Sequence, residues 1–554
     1  MRGISCAPDG HIWISTWAHG ICEFNPKSKQ FTSYHEGAGQ LNYPNVRGGI
    51  FAARSGKIYI GTWGKGMNEW NPATQTMRYI SVSGNMEDPR GMIWNICEDL
   101  LGRIWCATAE TGLFMYDPAT EKTARYTNDI SDPSSINDNN IWSVGIDRSN
   151  HIWCGGWQGG VNVLNEKISA FTHFRYNPYD ATALPAPAIW SFCTDGADGI
   201  WVGTGGGPVH YNSLTEKFER TIMMPESKTA PTNISNIQCL VRHPDGTIWM
   251  GTTGGGLHAY SPEKNSYRKY NSGGGPNDLR ANIISAIACD PDSVIWLGAG
   301  SKIQRYNSSA DNFTTYLLDP ADTVSAKSFV TSITIASPTT LRVTMSAGQI
   351  YLFERATGKV TLEWQSPGED VACVLADDHG GLWIGTGGVG LFYKNGEEIT
   401  HFSEKDGLPN NGINSIIQGD KDELWISTNK GICKLNPLTR EIRNYNSEDG
   451  TQGNEFNQNA VFKTRSGQIW FGGTMGITAF YPQQITINQT PADAVFTSFT
   501  VLNDPYPMKE HISIAKTIEL SWRDYFFSFE FSGMEFTNPA NNKYKYMIVG
   551  FDDD

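Results

Sequence analysis

Eleven near-copies of one short pattern run through the chain, and nothing else in the sequence constrains the fold as strongly. Ile-Trp-Ile-Ser-Thr surrounds Trp13, Ile-Tyr-Ile-Gly-Thr surrounds Tyr59, and Ile-Trp-Cys-Ala-Thr surrounds Trp105. Variants follow at Trp153, Trp201, Trp249, Trp296, Trp383, Trp425 and Trp470. A degenerate copy, Leu341-Arg342-Val343-Thr344-Met345, fills the gap between Trp296 and Trp383. The intervals are 46–48 residues as far as Val343 and 40–45 beyond it. A strand-rich period of this length is the mark of propeller blades, whose sheets bury both faces against neighbouring sheets.

Each copy reads as four short strands. An apolar stretch such as Ile141-Trp142-Ser143-Val144-Gly145-Ile146 leads through a polar turn into the Trp strand. A Gly-rich turn follows, then a third strand ending aromatic-Asn-Pro, as at Phe24-Asn25-Pro26, then a fourth such as Phe171 to Tyr176. Alternation, turn residues and β-branched content agree throughout. The anchor tryptophans are therefore expected in the core. The last copy has no fourth strand after Tyr481-Pro482, so Ala170 to Tyr176 is expected to complete it and close a ring. That ring has Trp-type strands at 201, 249, 296, 343, 383, 425 and 470. The expected fold is all-β. About four blades of a partial propeller span 1–168, a seven-bladed propeller spans 169–488, and 489–554 begins a new pattern.

Composition agrees. Gly is abundant at 58 of 554 residues, and charged residues are scarce at 18%, which argues against a disordered or coiled-coil chain. Forty-three Lys and Arg oppose 57 Asp and Glu, so the basic footprint of a nucleic-acid binder is missing. No apolar run approaches a membrane span, and the first ten residues hold no apolar signal-peptide core. The ten Cys form no CxxC pairs and no Cys/His cluster of zinc spacing, so neither a metal nor a cofactor is expected. Cys97 and Cys106 flank Leu101-Gly102 symmetrically. A two-residue hairpin there would set them opposite each other, as a disulfide or as two free thiols, with free thiols favoured.

The repeats Asp245-Gly246-Thr247-Ile248-Trp249-Met250-Gly251-Thr252 and Gly381-Leu382-Trp383-Ile384-Gly385-Thr386 resemble the regulator-propeller repeat. Gly453-Asn454-Glu455-Phe456-Asn457, followed by Gly467 to Gly473, resembles that family's final blade. The tail, with Tyr525-Phe526-Phe527-Ser528-Phe529-Glu530-Phe531, Tyr544-Lys545-Tyr546 and Gly550-Phe551-Asp552, is similar to the tyrosine-rich, immunoglobulin-like domain that follows such propellers. The resemblance covers essentially the whole chain. It implies the periplasmic sensor region of a Bacteroidetes-type hybrid two-component histidine kinase. Such a region would bind oligosaccharide non-catalytically, act as a homodimer, and signal through a downstream membrane helix to a kinase controlling glycan-utilisation genes. The family plan has fourteen blades, so the resemblance implies a fragment with about three blades missing and a truncated tail domain.

Propeller geometry puts the second-to-third turns and the blade-to-blade loops on one face. Trp17, Trp63 and Trp157 stand in such turns, four residues after their anchors. A flat ring there can stack on the apolar face of a sugar while polar neighbours bond its hydroxyls. Packing between blades is the competing role. A second set, Trp94, Trp142 and Trp190, recurs every 48 residues at the start of inner strands, where it could line the channel mouth. Loop candidates on the same face are Tyr43, Asn45, Arg47, Arg90, Asn410, Asn411, Asn414, Asn454, Glu455 and Asn457. The two Arg suit a carboxylate or sulfate, and shaping the turn is the competing role of the Asn residues. The carboxylates Glu87, Asp88, Asp138, Glu404, Asp406 and Glu455 form no distinctive pair of the kind a glycosidase or lyase needs. A protein-interaction scaffold is the other alternative.

Overall fold

The computed structural model describes residues 3–37, 40–46, 49–81, 91–130, 132, 135–165, 171–220, 224–225, 234–318, 328–368, 370–420, 423–485, 493–534, 542 and 544–550. It is all-β: strands alternate with turns, and the described helices are single 3-10 turns. Two compact units emerge, one of Lys167–Thr486 and one of Met1–Glu166 with Ile487–Asp554.

In the 167–486 unit, seven sheets follow one another, most of four antiparallel strands. Their innermost strands are Ile189–Thr194, Ile237–Arg242, Ile284–Cys289, Val330–Ser337, Val371–Ala376, Ile413–Gln418 and Phe456–Lys463. Each packs against the next, and Phe456–Lys463 packs back against Ile189–Thr194, so the sheets form a closed ring. Closure is also covalent in order: Phe171–Phe174 pairs with Gly476–Phe480, so the first strand of the unit is the outer strand of its last sheet. This is the β-propeller architecture that the repeat implies.

The repeated pentapeptide explains the ring. Its Ile and Trp are core: Ile200, Trp201, Ile248, Trp249, Trp296, Trp383, Trp425 and Trp470 are all buried. Its Gly is where the next sheet approaches. A Cβ on Gly472 would come within 2.7 Å of Ile189 Cγ2 across the closing seam, and Gly203, Gly251, Gly298 and Gly385 meet the next sheet's Ile or Val in the same way. Its Thr clamps the following turn: the hydroxyls of Thr204, Thr252, Thr386 and Thr428 donate to the carbonyls of Gly207, Gly256, Gly390 and Gly431 at 2.6–2.8 Å. Gly256 has φ +82°, and a Cβ there would collide with the Tyr270 carbonyl, so only glycine fits.

The other unit contains four sheets of the same kind, with inner strands Gly3–Cys6, Ile50–Ala52, Ile93–Glu98 and Ile141–Ile146 packed in succession. The fourth differs. Its described strands number three, ending at Val161–Leu164. The next strand in the chain, Phe171–Phe174, belongs to the ring described above. Accordingly Trp153, its anchor, is only half-buried, whereas Trp13 and Trp105 are fully buried. In the same unit, Ala494–Val501 pairs with Phe527–Gly533 and Asp504–Pro505 in a three-stranded sheet.

The symmetric placement of Cys97 and Cys106 is corrected by the turn between them. Asp99 N–H donates to the Arg103 carbonyl and Gly102 takes φ +84°, which adds a residue to the loop. Cys97 therefore faces Trp105, and Cys106 faces Ile96. Both thiols are free, and burial pushes that of Cys97 up to about 12.

Candidate functional site

The second residue of most inner strands sits in a register slip. In Ile141–Ile146, Ile141 faces Gly156 and Ser143 faces Gly155, which leaves Trp142 as an extra residue. Trp94 lies in the corresponding slip between Ile93 and Asn95, and Trp190 in that between Ile189 and Ser191. A bulge of this kind re-aims its side chain out of the ladder. The 48-residue recurrence of this tryptophan set is therefore a recurrence of bulges.

In the first unit the bulge tryptophans meet the turn tryptophans. Trp17 and Trp63 make an edge contact at 5.4 Å between ring centroids, and Trp63 meets Trp94 at 5.4 Å. Trp94 stacks with Trp142 at 4.8 Å and 17°, and Trp142 stacks with Trp157 at 4.3 Å and 25°. Five indoles from four sheets thus make one continuous row. Trp17, Trp142 and Trp157 remain 47%, 40% and 58% exposed. That exposure separates them from the anchors and leaves aromatic surface for a ligand.

The turns that carry the row are tied to the blade-to-blade loops. Trp63 N–H donates to the Asn45 carbonyl and Trp157 N–H to that of Asn140, each at 2.9 Å. The side-chain oxygens of Asn45 and Asn140 are buried without a protein partner. Asp138 caps the Trp157 turn, accepting from the backbone N–H groups of Asn140 (2.9 Å) and Gln158 (3.0 Å), and these bonds hold its carboxyl below the usual range. Tyr43 is half-buried in the loop beside Asn45. Arg47 and Arg90 lie outside the described residues.

The remaining candidates lie in the ring unit. Asn410 accepts from Gly412 N–H and donates to Glu404, and Asn411 accepts from Glu404 N–H, so both shape the turn that follows the Glu404–Asp406 helical turn. Asn414 is a bulge residue whose amide donates to the Phe456 carbonyl at 2.8 Å. Asn454 accepts from Ser447 N–H, and the Glu455 carbonyl accepts from the Gln452 amide. Asn457 is 7% exposed, and its amide donates to the Ile189 carbonyl at 2.7 Å. These Asn side chains bond within the ring. Trp190 lines its channel.

Sequence reasoning did not single out Gln458 and Asn459. The last inner strand carries a long bulge between Phe456 and Val461. From it Gln458 donates to the Ala372 carbonyl at 2.8 Å, and Asn459 donates to those of Thr331 and Ala372 at 3.2 Å. With Asn457 they brace three other sheets across the channel. The available signal was the polar Asn457-Gln458-Asn459 run inside an apolar strand pattern.

No group of His, Cys, Asp and Glu able to hold a metal occurs among the described residues, and none of their helices is long and apolar enough to cross a membrane. Residues 407–430, which hold Asn410 and Asn411 and two strands of the sixth sheet of the ring, match the two-component regulator propeller model. The chain carries a two-component regulator propeller repeat. It is similar to histidine kinase P4 of Formosa agariphila, 24% identical over 371 residues that cover 63% of this chain. The chain spans about a quarter of that relative's length, 27%. Among solved structures it resembles an extracellular domain described as part of a hybrid two-component system of B. thetaiotaomicron. Identity is 20% and the TM-score 0.65, covering 97% of this chain and 76% of that one. A second such domain from that organism matches at 17% identity and a TM-score of 0.48, covering 96% of this chain and 76% of that one.

Proposed function

We propose that the chain is the extracytoplasmic sensing region of a hybrid two-component sensor, and that its tryptophan row binds an oligosaccharide without transforming it. The observation that carries this reading is the contiguous row itself: five indoles in contact, three of them substantially exposed, fixed by backbone bonds to loops. Indole faces suit the apolar faces of sugar rings. The likeness to a histidine kinase supports the signalling context. In this reading the site lies on the periplasmic side of the inner membrane. Binding biases the packing of the sensor homodimer, and a kinase linked through a membrane helix reads that change and controls glycan-utilisation genes. A ligand can drive such a relay only by its differential affinity for the two packings.

The test is calorimetric titration of the chain with a panel of glycan fragments, each sample then assayed for new reducing ends and unsaturated products. Binding with no product supports the reading. Product formation from any fragment would replace it with an enzyme, and failure of every fragment to bind would remove the sugar.

A further inference from the structure

The channel of the 167–486 ring contains a cavity of about 240 Å³. Its walls come from the inner strands of five sheets, and they include the bulge side chains Trp190, Gln238, Ser285 and Thr331. Gln458 and Asn459 enter from the long bulge of the last sheet. None of the described residues lining it is charged.

The bonds already made decide what this wall can still offer. Gln458 and Asn459 donate their amide N–H groups to backbone carbonyls, which fixes their side-chain oxygens as the free acceptors. Asn459 holds this pose with φ +57°, the left-handed region that Asn tolerates. Ser285 donates its hydroxyl proton to the Val330 carbonyl and is left as an acceptor, whereas Thr331 donates to the Val371 carbonyl and accepts from the Thr344 hydroxyl at 2.7 Å, so its bonds are made within the ring. Gln238 accepts through Oε1 from the Thr253 hydroxyl at 3.0 Å, which fixes the other end of its amide as a donor. The wall is thus rich in acceptors, with one oriented amide donor and one indole, and without a cation.

We infer that this channel is a second binding site, separate from the tryptophan row, for a small neutral polyhydroxy ligand of monosaccharide size. Hydroxyl groups supply the O–H donors that the acceptors require, and the Trp190 ring gives an apolar face for stacking. A carboxylate or sulfate would bring negative charge to an acceptor-lined wall that has no cation to meet it. The volume is below the roughly 300–1,000 Å³ of sites for larger ligands, so it takes one ring and not a chain.

The test is saturation-transfer NMR on the full chain with glucose, galactose, xylose and glucuronate. It is run on the parent, Trp190→Ala, Gln238→Met and Trp157→Ala. At least one neutral sugar is expected to bind the parent and Trp157→Ala alike, to bind Trp190→Ala and Gln238→Met roughly tenfold more weakly, and glucuronate is expected to give no transfer. The Gln238→Met variant, which keeps the channel filled, covers the case in which Trp190→Ala misfolds. The inference is overturned if no neutral sugar binds the parent, if binding survives both channel substitutions, or if glucuronate binds equally well. Loss of binding in Trp157→Ala would assign the sugar to the row instead. Failure of oligosaccharide binding at the row leaves this outcome unaffected, so the two readings fail separately.

Discussion

The two units share a backbone device and use it differently. In the four-sheet unit the bulged residues Trp94 and Trp142 stack on each other and extend through the turn residues Trp63, Trp17 and Trp157. In the ring only the first bulge carries an indole, Trp190, and the following ones hold Gln238, Ser285, Thr331, Ala372 and Asn414. The seventh bulge is enlarged, and its amides tie distant sheets together. A repeat therefore fixes where a side chain is presented. The residue placed there decides whether the position makes a surface or braces a channel.

The largest test of this contrast is at the anchors. Trp425 is fully buried in the ring, and Trp425→Ala should cost about 3–5 kcal/mol in chemical denaturation. Trp153, half-buried in the three-stranded sheet, should cost clearly less on the same change. Equal losses would break the distinction between a closed and an open sheet. Next comes the closing seam. Gly472→Ala drives a Cβ against Ile189 and should cost about 1–3 kcal/mol, visible as a lower melting temperature.

Asn459→Gly removes two bonds across the channel and still accepts the left-handed backbone, and should cost about 1–2 kcal/mol. An unchanged melt would show that the bracing contributes nothing. Acid sensitivity gives a further test in the ring. Burial, with the Lys269 charge second, pulls the His258 ring of the second ring sheet down to about 4. The unfolded chain then binds the proton more readily than the folded one, so stability should fall as pH drops from about 6.5 towards 4. His258→Gln should flatten that slope in a denaturation series, and an identical slope would contradict the assignment. The smallest effect is at Gly145 in the four-sheet unit, where a Cβ meets nothing within 4 Å. Gly145→Ala should be neutral or gain up to about 1 kcal/mol.

Much of the architecture was legible in the sequence, because the anchor repeat is itself the packing unit. Ile, Trp, Gly and Thr each have a fixed task at the sheet-to-sheet contact, so their spacing marks the sheets. The missing last strand at Tyr481-Pro482 likewise pointed to Phe171–Phe174. What was not legible depends on register. The extra loop residue that separates Cys97 from Cys106 comes from turn conformation, and periodicity carries no signal for it. The sequence nominated Trp94, Trp142 and Trp157 as separate sets, but their stacking needs the bulges and the closeness of neighbouring sheets. Asn457 is nominated by the same final-blade motif that places it in the bracing bulge, and composition alone does not separate a turn or bracing amide from a ligand contact.

The central claim is that the exposed end of the tryptophan row contacts the ligand. Its most direct test is calorimetric titration of the parent and Trp157→Ala with the oligosaccharide that binds the parent best, alongside thermal melts of both. The account predicts an affinity loss of roughly tenfold or more with an unchanged melt. Equal affinity in the two proteins would contradict it.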